Sequence, residues 1–452
     1  MNGGTWTPGI EKERAGIYFR FQSAAQARTL LGDRGTVALP IVMGWGEPKK
    51  FIEINNDEDI LKKLALDVND PSLLLLREAR KRAKTVLLYR VNEGTKATGT
   101  LPLDGAGTAP TVTAVFGGTK GNDITIVVST NVLDATKKDI TTFNGTKAVE
   151  KQTVADASEL KPNAWVVFAG SGKLADSAGV KLANGADGTV TNLDYTDFLA
   201  AAETEYFDTI ALPVDSDEQI KTTFVSFIKR VRDQQGVKVV GVLPNYAGDY
   251  EGIINVTNAA VLAERELTIA ETVAWVVGAS AGATINQSLT FMEYDNAVDV
   301  SPRFDNDEII ERLRNGEFIL TYDARDKVAS VEADINSFIS FTKEKDKRFR
   351  KNKIIRILDA INNDLTRELK ATIKELKNKG KDIPANADGI QIVSTLATIY
   401  MNELQANGAI KNFNASNDIL ISLTDEGDGF IINMGAQPVD SAEKYYFGME
   451  VR

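Results

Sequence analysis

Residues Gly278 to Gly282 read GASAG, a literal match to G-x-S-x-G, the strained turn that presents a nucleophilic serine, here Ser280, in many hydrolases. That arrangement needs an imidazole to take the serine proton, and the chain contains no His. Small residues at this spacing also let two backbones approach closely, which is the reading left standing. The stretch FGGTKGND, Phe116 to Asp123, has the glycines and the lysine of a phosphate loop. A phosphate loop runs from Gly-Lys-Ser/Thr into a helix, whereas Lys120-Gly121 runs into the strand-like ITIVV, so a β-turn is expected here. The turn after DTIALP carries Asp215 and Asp217, which suit helix capping and would repel a phosphate.

Two absences restrict the chemistry further. Without Cys there are no disulfides, thiolate metal sites or Cys nucleophiles; without His the commonest general base and metal ligand are gone. Carboxylate, Lys or Tyr catalysis stays possible, but the expectation is a protein that is not an enzyme and has no cofactor. A net charge of −11 argues against nucleic-acid binding, which needs a basic surface. The sharpest local exception is KEKDKRFRKNKIIR, Lys343 to Arg356, with eight cationic residues against two acidic ones. It reads either as a solvated face leading into a helix or as a dock for an acidic protein surface.

At 452 residues the chain exceeds what one core usually spans, and two to four domains are expected. Its 43% hydrophobic and 25% charged residues are ordinary for a soluble globular protein. No apolar run approaches the roughly 18 residues of a membrane span, and the N-terminal stretch lacks the apolar core of a secretory signal, so the chain is expected to fold where it is made.

The elements that must position these residues alternate in texture. Residues 1–22 read as an N-terminal arm: breakers at Gly3-Gly4 and Pro8-Gly9, then Ile17, Phe19 and Phe21 alternating with Tyr18 and Arg20. Residues 23–92 read as β-α-α-β: a strand in TVALPIVMGW, a helix after Asn55-Asn56-Asp57 with Ile60, Leu61 and Leu64 on one face, a helix from Pro71-Ser72, and strand TVLLYRV. Over 93–191 helical periodicity vanishes and 13 of the 35 glycines gather. Short runs TVTAVF, DITIVVS and AWVVFAG, with a type I′ hairpin signal at Asn144-Gly145, predict a small inserted all-β domain. Residues 192–300 return to α/β, with a βαβ crossover whose helix carries Ile220, Phe224, Phe227, Ile228 and Val231 on one face. In 301–434 a capping box at Asp305 and Glu308 opens a helix stopped by Gly316, helices follow near 351–379 and 389–407, and a hairpin joins Ile419–Leu423 to Phe430–Met434. The fold class is therefore mixed α/β and multidomain.

Residues 435–452 form a second arm. Tyr445, Phe447, Met449 and Val451 fall on one side of an extended chain and Lys444, Tyr446, Glu450 and Arg452 on the other, the period of a half-buried strand. Each arm either pairs within its own domain or, on its flexible lead, adds to the sheet edge of another copy. In the second case every copy links two neighbours and a ring or helical array results.

The order of GGTWTPGIEKERAGIYFRF (3–21), GGTKGNDITIVV (117–128), NQSLTFMEYDNAVDVSPRFDNDEIIERLRNGEFILT (286–321), VASVEADINSFISFT (328–342), RFRKNKIIRILDAINNDL (348–365) and INMGAQPVDSAEKYYFGMEVR (432–452) resembles contractile tail sheath proteins of Gram-positive myophages and diffocin-type R-type bacteriocins, over nearly the whole chain. The resemblance implies a structural subunit of six-membered rings, stacked helically around an inner tail tube, that contracts to drive the tube through a target envelope without ATP. The strand donors would be Ile17, Tyr18, Phe19 and Phe21, and Tyr445, Phe447, Met449 and Val451. The acceptor would be the hairpin of Ile419, Ile421, Leu423, Phe430, Ile432 and Met434 in a neighbour. By the same analogy the region 301–434 faces the tube, with Lys343, Lys347, Arg348, Arg350, Lys351 and Lys353 as candidate contacts, and the insert faces outward. Implied partners are other copies of the chain, the tube protein, and baseplate and tail-terminator proteins, with no nucleic acid or membrane bound by the sheath itself. The location implied is a virion tail or tailocin particle made in the bacterial host cytoplasm. A polymer of another injection or secretion apparatus and a soluble α/β enzyme are the competing readings.

Overall fold

The computed structural model describes residues 31–105 and 108–451. The chain is mixed α/β and multidomain, as its texture implies. It opens with β1 (Thr36–Ile41), β2 (Phe51–Ile54), a helical turn α1 (Asp57–Asp59) continued by one π turn, α2 (Leu74–Arg80) and β3 (Thr85–Arg90). The expected β-α-α-β is thus β-β-α-α-β, because β2 intervenes and pairs antiparallel with β3. Ile60 and Leu64 point into the core as expected, but the π turn swings Leu61 outward to 57% exposure.

The next 94 residues form strands β4 (Gly94–Thr100), β5 (Thr111–Gly117), β6 (Ile124–Thr130), β7 (Lys138–Asn144), β8 (Lys147–Val154), β9 (Val166–Ala169), β10 (Ser177–Lys181) and β11 (Ala186–Asp187). They make two four-stranded sheets, ordered β10-β6-β7-β8 and β11-β4-β5-β9. The β7–β8 hairpin exists, but Asn144 pairs with Lys147, so the loop is Gly145-Thr146 rather than one centred on Asn144-Gly145. Of the two loop residues only Gly145 has positive φ (58°), the pattern of a type II′ turn and not type I′.

The chain then re-enters the main sheet through α3 (Asn192–Ala202), β12 (Thr209–Ala211), α4 (Glu218–Lys229), β13 (Val240–Pro244), β14 (Ile253–Val256), β15 (Ala259–Leu262), α5 (Ile269–Gly282), β16 (Ala297–Ser301), α6 (Asn306–Arg314), β17 (Glu317–Phe318), β18 (Leu320–Asp323) and β19 (Val328–Val331). The seven-stranded sheet is ordered β17-β14-β13-β12-β1-β3-β2, parallel except at β2. Both faces are covered, which is why its strands read as nearly continuous apolar runs. Val37, Leu39 and Ile41 join Trp275 and Val276 of α5 on one side. Ala38 and Tyr89 join Phe198 of α3 and Ile220, Phe224, Phe227 and Ile228 of α4 on the other. Asp217 caps α4 by accepting from the Gln219 and Ile220 amides, and the Asp305–Glu308 capping box of α6 is present.

Trp45, 1% exposed, stacks at 5.4 Å on Trp165 and meets Phe116 edge-on, so the insert shares its core with the α/β sheet. Fully buried Arg90 donates to the carbonyls of Gly46 (2.6 Å) and Gly117 (2.8 Å), and Asn92 bonds both backbone groups of Met43 at 2.9 Å. Each guanidinium nitrogen of Arg90 thus meets an acceptor, while the Trp45 indole nitrogen at the same junction is buried without one.

Past it, α7 (Asn352–Asn378) and α8 (Ala387–Ala406) form a helical hairpin, and β20 (Ile419–Leu423) with β21 (Phe430–Met434) forms a separate two-stranded sheet beside α8. Ile357, Tyr400, Met401, Leu404 and Ile410 make the small core of this region.

Candidate functional site

GASAG lies in the last turns of α5, not on a strand-to-helix elbow. A Cβ on Gly278 would sit 2.2 Å from the Ala79 carbonyl oxygen of α2, and one on Gly282 would sit 2.1 Å from that of Arg82. These residues are small because two helix backbones touch there, and Ser280 is buried with no side chain placed to activate it among the described residues. In FGGTKGND the place a phosphate would take is filled by the Asp187 carboxylate, which accepts from the Thr119 amide and hydroxyl, each at 2.9 Å. Lys120 is paired with Asp70 and Asp123. Asp215 accepts from Lys221 and from Asn245. These three stretches are structural.

The basic run divides in two. Lys345 pairs with Glu251, and Arg348 with Asp346 beside it. Lys343, Lys347 and Arg348 sit on the outside, whereas Arg350 is half-buried and burial pulls its guanidinium below the usual arginine value. Lys351 and Lys353 turn toward the second arm. Lys351 Nζ lies 2.7 Å from Asp440 and 2.9 Å from Glu443, and Lys353 donates to the Ser441 hydroxyl at 3.1 Å. Burial opposes the Lys351 charge, but the two carboxylates prevail and hold its pKa above the ordinary lysine value. The last two members of the candidate tube contact are therefore engaged within the chain.

That anchoring defines the arm's geometry. Lys411 N donates to Gln437 O (3.0 Å), Val439 N to Ala409 O (2.8 Å), and the Thr290 hydroxyl to Glu443 (3.1 Å). Beyond Glu443 the chain projects. Tyr445 is 68% exposed, and Tyr446, Phe447, Met449 and Val451 are 89 to 91% exposed. Residues 441–451 pair with no strand among the described residues. The side chains of the apolar row and Tyr446 of the other thus face solvent.

The hairpin is the complementary feature. Its register is Ile419↔Met434, Ile421↔Ile432 and Leu423↔Phe430, which puts all six expected acceptor residues on one face. That face is half-covered by α8, where a Cβ on Gly389 would come 2.8 Å from the Phe430 ring. On the opposite face Leu420 and Ile431 are 60% and 49% exposed. Neither strand has a further strand neighbour among the described residues, and a groove lined by Ile390, Ser394, Ile419, Ile421 and Asn433 runs between the hairpin and α8. Two strands alone are a marginal sheet with two open edges. The first-arm donors Ile17, Tyr18, Phe19 and Phe21 lie outside the described residues.

Sequence reasoning named Lys351 only as a candidate tube contact and missed Thr290 and Glu443, which with it tie the arm's root to the body. The charge run was a visible signal; its partners, 92 residues further along, were not.

Family models match nearly all of the chain from residue 34 onward. Four family models match in succession: the tail sheath protein Gp18 domain III N-terminal region at 34–91, the phage tail sheath protein beta-sandwich domain at 92–187, the phage tail sheath protein central domain at 188–337, and the phage tail sheath C-terminal domain at 344–452. The phage-like element PBSX protein XkdK of Bacillus subtilis is 56% identical, with all of both chains covered. The sheath tail protein Lin1278 of Listeria innocua has 53% identity and a TM-score of 0.81, covering 93% of this chain and 95% of that one. The helical sheath of the anti-feeding prophage in its contracted state shares the fold alone, with a TM-score of 0.55 at 14% identity over 98% of this chain and 99% of that one. With tail sheath family models matched in succession along its length and a sheath tail protein 53% identical over 93% of it, the chain belongs to the phage tail sheath family of contractile phage-like systems.

Proposed function

We propose that the chain is the repeating subunit of a contractile sheath, assembled as stacked hexameric rings around an inner tail tube. Each copy donates residues 445–451 as a strand to the β20–β21 hairpin of a neighbour, and Ile17 to Phe21 supply a second donated strand. The observation that carries this reading is the mismatch within one chain: a strand-patterned segment exposed on both faces, rooted at Glu443, and a two-stranded sheet with open edges and exposed Leu420 and Ile431. Main-chain hydrogen bonds along the edge would supply affinity, and the row Tyr445, Phe447, Met449 and Val451 the register.

Contraction then requires subunits that turn as near-rigid bodies while the exchanged strands keep the mesh connected. The packed Trp45–Trp165 junction favours a rigid body; the lead Gly435 to Asp440 is itself bonded to the body, so the change in φ/ψ would be absorbed just past the Glu443 root. The energy would come from the assembled lattice, with no nucleotide. Lys343, Lys347 and Arg348 remain as the outward cations to meet the tube protein, baseplate and terminator proteins would bound the sheath, and the insert would face outward. The chain would be made in the bacterial host cytoplasm and act in the tail or tailocin particle.

Negative-stain microscopy of the full chain beside a form lacking residues 444–452 tests this. Tubes or rings from the first and monomers from the second are expected. Small uniform particles from both, or tubes from both, would overturn strand exchange.

A further inference from the structure

The far end of α7 carries a row of cations. Lys370, Lys374 and Lys377 recur at helical spacing, and Lys381 continues the spacing past the end of the helix. All four are exposed on the side turned from α8, whereas Leu365, Leu369 and Leu376 on the inner side are partly buried. Over residues 370–382 five lysines stand against two carboxylates, an excess of three positive charges. Both carboxylates are taken, Glu375 by Lys379 and Asp382 by Lys377. Asp33, which lines a groove beside Lys370, is paired with Lys84, and Asp364 and Glu368 one turn earlier are paired with Arg367. Lys370 and Lys374 are left without an ion pair among the described residues.

Local helix physics does not call for this row. Lysines four residues apart repel each other. The favourable pull of the helix dipole fades within the last turn, so it supports Lys377 but not Lys370, two turns before the end. In a chain of net charge −11, such a surface is suited to an acidic partner.

The turn between β20 and β21 has the matching chemistry. Thr424 to Gly429 carries three carboxylates and no cation. The turn itself uses Gly427 (φ 71°) and Asp428, which accepts from the Thr424 hydroxyl at 3.0 Å. Asp425 and Glu426 are exposed and make no side-chain hydrogen bond or ion pair among the described residues. The hairpin packs on α8, while the lysine row lies on the face of α7 turned from α8, and no ion pair joins the two within the chain.

We propose that the lysine row of α7 is a docking surface for the acidic β20–β21 turn of a second copy, with Lys370 and Lys374 set against Asp425 and Glu426. This rests on the reading of the chain as a polymer subunit, in which one side of each copy meets a different side of the next. It adds to strand exchange a charge-guided approach that fixes which sides of two neighbours meet. Exposed pairs of this kind act on rate and orientation more than on affinity.

The test follows assembly of the full chain by light scattering and negative-stain microscopy in four forms: wild type, Lys370→Glu with Lys374→Glu, Asp425→Lys with Glu426→Lys, and all four changes together. The circular dichroism of each should match the wild type, since all four residues are exposed. At low salt each two-residue variant is expected to assemble at least about fivefold more slowly than the wild type, and the four-residue variant to return to within about twofold of it. The differences should fade at roughly 0.5 M salt. Wild-type rates in either two-residue variant would leave the row to another protein, such as the tube, and overturn the docking; so would no recovery in the four-residue variant. A wild type that forms no polymer overturns the polymer reading and the docking with it, whereas a normal polymer with unaffected variants overturns the docking alone. Carbodiimide coupling of polymer grown from mixed isotope-labelled and unlabelled chains gives a second readout. Cross-links between Lys370 or Lys374 of one chain and Asp425 or Glu426 of another are expected, and their absence overturns the proposal.

Discussion

Lys351 Nζ lies 2.9 Å from Glu443 Oε2, and this pair ties the root of the second arm to the body of the subunit. On one side of it, residues 437–441 are bonded to the 409–411 segment and to α7. On the other, the side chains from Tyr445 to Val451 are exposed. A donated strand needs such a fixed origin, since an arm anchored close to its first donor residue loses less chain entropy on docking than one loose along its full length.

Lys351→Met removes both ion pairs at this root. The pair is partly exposed, so the loss is modest, about 0.5–1 kcal/mol. The expected result is a roughly two- to fivefold fall in hydrogen-exchange protection at the Val439 and Lys411 amides, with protection in the main sheet unchanged. Unaltered exchange at both amides would show that the pair does not hold the arm.

Gly278 and the Ala79 carbonyl set the approach of α5 to α2. Gly278→Val adds bulk where even a Cβ would come within 2.2 Å of a backbone oxygen. Neither helix can yield without disturbing Trp275 and Leu76 in the same core. A destabilisation of about 3 kcal/mol is expected in urea unfolding. A loss under about 0.5 kcal/mol would mean the helices are free to part.

Arg232 and Asp359 join the end of α4 to α7 through a bidentate pair with both side chains under 10% exposed. Asp359→Ala leaves a buried guanidinium with one fewer partner than it was built for, and a cost of about 3–5 kcal/mol is expected. Adding Arg232→Met to it should recover part of that loss, since no charge is then stranded. Additive losses in the double variant would count against a coupled pair.

How far these features could be read from residue order depends on their range. The α4 face from Ile220 to Val231 and the Asp305–Glu308 capping box were legible because each is local and packs in a single direction. The β20–β21 hairpin was legible because turn residues Asp425 to Gly429 separate two short apolar runs. Strand β2 escaped notice: FIEI is four residues beside Lys49-Lys50, and only its pairing with β3 defines it. Leu61 was placed inward by 3.6-residue spacing, which a π turn breaks. The Asn144-Gly145 signal located the hairpin but misplaced its loop by one residue, since register is set by cross-strand pairing along all of β7 and β8. The basic run was visible as charge, yet which cations face outward depends on Asp440 and Glu443, and those are far away in sequence.

Asp139 gives the insert a pH dependence. Its carboxylate accepts from the Thr153 hydroxyl (2.6 Å), the Asn131 amide (2.7 Å) and Lys151 (2.9 Å), and these hold its pKa down at about 2 against an ordinary 3.8. A depressed carboxylate contributes stability that is fully present above pH 4 and is lost as pH falls toward 2. The difference in unfolding midpoint between wild type and Asp139→Asn should therefore be largest above pH 4 and shrink toward pH 2. A difference that is constant across that range would remove Asp139 from the acid response.

Phe447→Asp separates assembly from folding. Phe447 is 90% exposed in the single chain, so its replacement should change unfolding by less than about 0.5 kcal/mol and leave the circular dichroism untouched. In a donated strand the same position lies mid-row, where a carboxylate would be buried without a partner, and polymerisation should fail. Tyr446→Asp, on the opposite row and equally exposed, should still assemble, because strand addition buries one row against the acceptor's core and leaves the other outside. Tubes from the Phe447 variant would show that this row is not buried between copies. Failure of both variants would point to contacts made by either face alike, and would exclude a strand seated in a single register on the β20–β21 hairpin.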